Sequence, residues 1–257
     1  MMQVAISIYN DFSDYMMFKD IKKANVIEFK YKNAEIDIPE ELVIKQFVAI
    51  YTVHEKCMGF NGYLRNRLNN NTGKTVEDYK KSIKKLTVDI NNIKKYGPQN
   101  SFEEIISKYG EKIIGRGEKC IRKVKDSNYL EIITRSMRRS EICLGNTDFQ
   151  NLRRSDFIYV VDFNNCSYNM VEMDCLPLLS RLKRKGAKLD FCKLAKEFCY
   201  IEGLDADSEK FLIALISYPH EFMKCCNRYR TGKRVWHEDK FLQRIKKALV
   251  QDGDPLF

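Results

Sequence analysis

The sequence predicts an α+β chain, mainly α, and three observations predict it. Helical periodicity runs almost unbroken from Pro39 to the C-terminus, a stretch at 141–162 changes to period two, and the first forty residues read as strand, helix, strand. At 257 residues the chain has room for one large domain, or for a small unit beside a larger one. The boundary falls between 38 and 39. Residues 1–38 form an element too short to be stable alone, and residues 39–257 form a helical body with a small β insert.

Each element has its own signal. Val4, Ile6 and Ile8 alternate with Gln3, Ala5 and Ser7, and Ile27, Phe29 and Tyr31 alternate with Glu28, Lys30 and Lys32, which predicts two strands. Between them Phe12, Tyr15, Met16 and Ile21 fall on a loose helical stripe. Pro39 suits a first helical position, and Val43, Phe47, Ile50, Tyr51 and His54 then recur on one face. His54, set in that stripe, is expected to be a hydrogen-bonded core residue rather than a ligand. A polar loop at 69–73 follows. Thr75 with Asp78 opens a second helix bearing Tyr79, Ile83, Leu86, Ile90 and Ile93, and Gly97-Pro98 stops it. Ser101 with Glu104 reads as the capping box of a third helix. Ser127 opens a fourth, with Leu130, Ile133 and Met137 on its inner face.

The period then changes. Residues 141–144 predict a short strand, and 151–153 with 157–162 predict a hairpin turning at Ser155-Asp156. Beyond Tyr168 the reading is helical throughout. Leu176, Leu179 and Leu182 make one stripe; Phe191, Leu194 and Phe198 make another; 211–216 and 236–249 follow. The basic cluster at 181–185 ends a helix before Gly186, where cations suit the negative end of the helix dipole.

Composition excludes several classes. The chain is 44% hydrophobic and 31% charged, which argues for a packed protein rather than disorder. No apolar run approaches the roughly 18–20 residues that span a bilayer. Residues 1–7 lack a basic lead and Asn10, Asp11 and Asp14 interrupt any apolar core, so no signal peptide and a cytoplasmic site of synthesis are expected. Nine cysteines include no Cys-x-x-Cys, and His54, His220 and His237 give no zinc spacing. Cys225-Cys226 reads as two buried or half-buried thiols on a helix. The net charge of +10 allows an anionic partner. Its lysines are scattered over helix faces, without repeat, zinc finger or aromatic-basic interleaving, so nucleic acid is not the expected partner.

The β insert carries the chemistry. The stretch Ile142-Cys-Leu-Gly-Asn-Thr-Asp-Phe-Gln-Asn-Leu152, followed by Tyr159-Val-Val-Asp-Phe-Asn-Asn-Cys166, resembles the catalytic loop and metal-binding strand of aminoglycoside-phosphotransferase-like kinases. That family's loop reads His-Gly-Asp with an Asn five residues after the Asp, and its strand delivers Asp-Phe-Asp or similar. Here the frame reads Leu144-Gly145-Asn146, Asn151 and Asp162-Phe163-Asn164. Phosphoryl transfer uses a carboxylate to orient and deprotonate the attacking hydroxyl, and an Asn and an Asp to hold Mg²⁺ on the phosphates. Asn151 and Asp162 match the metal positions, as a vestigial Mg²⁺ site. Asn146 stands at the base position, where an amide cannot take a proton, and Leu144 replaces the His. Asp148, two residues on, is a substitute base only if the loop is rebuilt.

The resemblance extends over most of the chain beyond residue 40. The run from Phe47 to His54 with Gly59-Phe60, and Tyr218-Pro219, Phe222, Asn227, Tyr229, Trp236 and Phe241, resemble the bacterial spore-coat (CotS-type) branch of these kinases. Asp174 sits where that family places an Asp bracing the metal strand. The resemblance implies a protein-kinase-like large lobe and, in residues 1–38, a truncated remnant of the small lobe. The first forty residues hold no glycine, so the glycine-rich nucleotide loop is missing, and Ser7 ends a Val4-Ala-Ile-Ser7 run where a kinase strand would carry lysine.

Three functions follow. The leading expectation is a pseudokinase, not an enzyme and without cofactor, made in the mother cell and deposited in the spore coat. It would act on other coat proteins or on itself through apolar surface left open beside the insert. The alternatives are a residual Mg²⁺-dependent small-molecule phosphotransferase using ATP or GTP, and a basic module binding anions or nucleic acid.

Overall fold

The computed structural model describes residues 7–27, 37–232 and 238–257. The expected strand residues 4–6 and 28–32 and the Trp236 of the C-terminal pattern lie outside them. What is described is mainly helical, with short strands, as expected.

The N-terminal segment gives β1 (Ile8–Tyr9), α1 (Phe12–Phe18) and β2 (Ile21–Lys23). Asp11 caps α1, its carboxylate accepting from the Ser13 and Asp14 amides. Ile21 was expected on the helix; instead Asp20 takes a left-handed turn at φ +60° and Ile21 begins a strand. Main-chain pairing joins this segment to the rest. β1 runs parallel to β3 (Tyr63–Leu64), and β2 runs parallel to β7 (Ile158–Val160), which is itself antiparallel to β6 (Leu152–Arg154). The β6–β7 hairpin is the one expected, closed by the Ser155 amide donating to the Phe157 carbonyl. A third small sheet sets β8 (Ser167–Tyr168) between β4 (Asn69–Asn70) and β5 (Ile142–Cys143).

α2 (Glu40–Cys57) buries Val43, Phe47, Ile50 and Val53, and Phe47 meets Phe198 edge-on at 5.3 Å. α3 (Lys74–Tyr96) buries the stripe expected of it and packs along α4 (Ser101–Asp126). Gly110 permits that approach, since a Cβ there would lie 2.5 Å from Ile90 Cδ1. α4 starts differently from expectation. Asn100, not Ser101, is the cap, accepting from the Glu103 amide at 3.0 Å, while the Glu103 carboxylate reaches back to the Gln99 amide at 2.8 Å.

α5 (Tyr129–Arg139) presents another face than the one predicted. Leu130 and Met137 are 75% and 67% exposed, and Ile132 and Ser136 are buried. Its phase is set by Tyr129 stacking on Phe211 and by Arg135, which bonds Glu172 at 2.7 Å, Glu141 at 3.2 Å and Ser208 at 2.9 Å. The C-terminal half is α6 (Glu172–Lys185), α7 (Phe191–Ile201), α8 (Ala206–Ile216), α9 (His220–Thr231) and α10 (Glu238–Asp252). Gly186 ends α6 at φ +84°, after Lys183, Arg184 and Lys185. Cys225 and Cys226 are buried on α9. No helix among the described residues is long and apolar enough to cross a membrane.

Candidate active site

The segment from Leu144 to Leu152 joins β5 to β6 and is held by side chains from two helices. Asp174, in the first turn of α6 and 0% exposed, accepts from the Leu144 and Gly145 amides at 2.7 Å each. Thr147 Oγ1 donates to the Asp174 carbonyl at 2.7 Å. From α2, buried Gln46 donates to the Thr147 carbonyl at 2.9 Å and the Leu152 carbonyl at 3.0 Å. Buried main-chain groups need such partners, and here side chains supply them because the loop has no neighbouring strand to pair with. Asp174 therefore braces the loop, rather than the metal strand as expected.

Asp174 is itself pinned. His54 Nε2 meets its Oδ2 at 2.9 Å, and His54 Nδ1 meets Glu202 Oε1 at 2.8 Å. Burial alone would lower the His54 pKa, but the Glu202 and Asp174 carboxylates outweigh it and raise it to about 10. At neutral pH the ring is an imidazolium donating from both nitrogens. His54 is the hydrogen-bonded core residue the sequence predicted.

The loop's path requires glycine at one position. Gly145 has φ +76°, and a Cβ on it would lie 2.4 Å from the Asn165 carbonyl oxygen. On either side of it, Leu144 is buried and Asn146 is half-buried, its Oδ1 accepting from the Asp148 amide at 3.3 Å. Asn151, buried, ties loop to strand: its Nδ2 donates to the Asn146 carbonyl at 2.7 Å and the Asp162 carbonyl at 3.1 Å, and its Oδ1 accepts from the Asp162 amide at 2.8 Å. Asp162 Oδ1 accepts from the Asn164 amide at 2.8 Å. Asn146, Asn151 and Asp162, chosen from sequence, are thus brought together. Asp148 lines a cleft beside Asn146, ion-paired to Arg181 of α6.

Two hollows flank this assembly. The larger, of about 720 Å³, is lined by Asn146, Asp148 and Asn165 from the loops, Lys74 from α3, and Arg181 and Arg184 from α6. The smaller, of about 300 Å³, sets Asp162 and Asn164 against Lys23, Asn66 and Arg67. Asp162 and Asn151 offer the hard oxygen ligands that suit Mg²⁺, and Lys23 and Arg67 supply cations suited to phosphate. Lys23, Arg67, Lys74 and Gln46 escaped the sequence reading, and Arg181 entered it only as part of a helix-ending basic cluster. Gln46 alone left a signal, as the polar member of an apolar helical stripe. Among the described residues of the insert, Ile142, Leu144, Leu152, Ile158 and Val160 are buried and Phe157 is exposed.

No family model matches the chain, and no curated protein sequence matches it. Among solved structures, an aminoglycoside phosphotransferase from Alicyclobacillus acidocaldarius subsp. acidocaldarius DSM 446 shares the fold, with a TM-score of 0.66 at 11% identity over 92% of this chain and 68% of that one. The fold is therefore the phosphotransferase, kinase-like fold. The expectation that the chain is not an enzyme is corrected on this finding, because the shared fold is that of a phosphotransferase. The inference from Asn146 to inactivity was too strong physically. Phosphoryl transfer depends mainly on positioning and charge stabilisation, and losing one proton acceptor removes only part of that.

Proposed function

We propose that the chain is a Mg²⁺-dependent phosphotransferase, moving a phosphoryl group from a nucleoside triphosphate to a hydroxyl of a small molecule. The observation that carries this reading is the Asn151 strut. Its three main-chain hydrogen bonds lock the loop bearing Asn146 and Asp148 to the strand end bearing Asp162. Asp162, with the second lone pair of Asn151 Oδ1, would hold Mg²⁺, which when bound neutralises phosphate charge. Lys23 and Arg67 share the Asp162 hollow and offer the triphosphate its cationic partners. Asp148 faces the larger cleft and orients the acceptor hydroxyl, steadied by Arg181. The spore-coat setting is carried by Tyr218, Phe222, Tyr229 and Phe241. All four pack in or against the core, so it adds no chemistry to the reading.

Calorimetry with ATP and Mg²⁺ tests it. Wild type binds, Asp162→Ala does not, and Asp148→Asn binds normally but turns over about 10²-fold more slowly. Absence of Mg²⁺-nucleotide binding in the folded wild type would sink the reading.

A further inference from the structure

The larger cleft also bears on what is phosphorylated. Its lining includes two carboxylates, and each already has a cationic partner. Asp148 is paired with Arg181, and Asp78 lies 3.9 Å from Lys81. A polycationic substrate gains its affinity from carboxylates free to receive it, and this wall offers none among the described residues. The balance runs the other way. Lys74, Arg181 and Arg184 outnumber the lining carboxylates, and Arg184 is neutralised by Glu221 at 2.8 Å from outside the lining. Lys74 is exposed, and no carboxylate among the described residues pairs with its ammonium. His220 adds no positive charge, because burial lowers its pKa. The rest of the lining is rich in groups that bond hydroxyls: Asn71, Thr75, Asn146, Asn165 and Ser180.

Resting on the phosphotransferase reading, we infer that the acceptor is a polyhydroxylated small molecule carrying a negative group, of the sugar-acid or sugar-phosphate class, with Lys74 seating the anion. A volume of about 720 Å³ accommodates a monosaccharide of this kind with room for bridging water. The substrate would then differ in charge from the aminoglycoside named for the structural relative.

Binding of three probes separates the possibilities: 6-phosphogluconate, which is anionic, glucose, which is neutral, and kanamycin, which is polycationic. The expected result is that 6-phosphogluconate binds more tightly than the other two. Its binding weakens at least tenfold in Lys74→Met and with added salt, and is unchanged in Lys95→Met, an exposed lysine at the other end of α3. Lys74 is exposed, so the variant folds, and an unchanged melting temperature checks this. Tighter binding of kanamycin or glucose, or 6-phosphogluconate binding indifferent to Lys74, overturns the inference. So does no 6-phosphogluconate binding by a wild type that still binds Mg²⁺-ATP through Asp162. That last result spares the phosphotransferase reading, which fails only if nucleotide binding is absent too.

Discussion

His54 is a positive charge enclosed by protein, and its stability contribution has a definite pH window. Its pKa rises from 6.5 to about 10 on folding. A base raised in this way contributes fully below pH 6.5, and the contribution is lost as pH climbs through 10. The unfolding free energy from urea titrations should therefore fall across that range by an amount on the order of a few kcal/mol, and the His54→Gln protein should show a flatter profile. His54→Ala leaves Asp174 and Glu202 buried without their shared partner and should cost about 3–5 kcal/mol. Gly145→Ala combines a left-handed backbone with a Cβ 2.4 Å from a carbonyl oxygen. It should destabilise by more than about 1–2 kcal/mol and impair turnover before it impairs folding.

At the scale of elements, α2 does two jobs: its apolar stripe builds the core, and Gln46 and His54 brace the loop above it. Gln46→Leu keeps the stripe but leaves the Thr147 and Leu152 carbonyls without a side-chain donor. Stability should drop by about 1–3 kcal/mol, with faster amide exchange concentrated at 147–152. Asn100→Ala removes the cap of α4 and should cost about 1 kcal/mol, which thermal melts will show. Helices α2, α3 and α6 were legible because their apolar residues recur on one face. The inner face of α5 was not, since its anchor is Arg135 and its carboxylate partners, and periodicity counts only apolar residues. Two-residue strands such as β3, β4 and β8 are too short to carry a period at all.

For the whole molecule, α4 joins the two helical parts, packing on α3 on one side and on α8 and α10 on the other. The C-terminal end is fastened to α4 by Arg116, which donates to the carbonyls of Ser217, Asp252 and Gly253. The nine cysteines report on this packing. Eight are buried and Cys192 is partly exposed, and burial raises the thiol pKa of Cys120 and Cys225 to about 11. A thiol reagent at neutral pH should modify about one cysteine quickly in native protein and all nine in denaturant. Several fast thiols in native protein would mean that the core is looser than this burial implies.

By itself the sequence determined the mainly helical architecture and the β6–β7 hairpin, because these follow from local periodicity and turn chemistry, while its resemblance to a kinase family picked out the frame of Asn146, Asn151 and Asp162. Only the tertiary structure decided what surrounds that frame. Gln46, His54, Asp174 and Glu202 reach the loop from positions far apart in the chain, as Lys23, Arg67, Lys74 and Arg181 reach its hollows. Nothing local in a sequence marks a side chain whose partner is a hundred residues away. Charge balance in a cleft is such a property, set by which distant residues the fold brings within a few ångströms of one another.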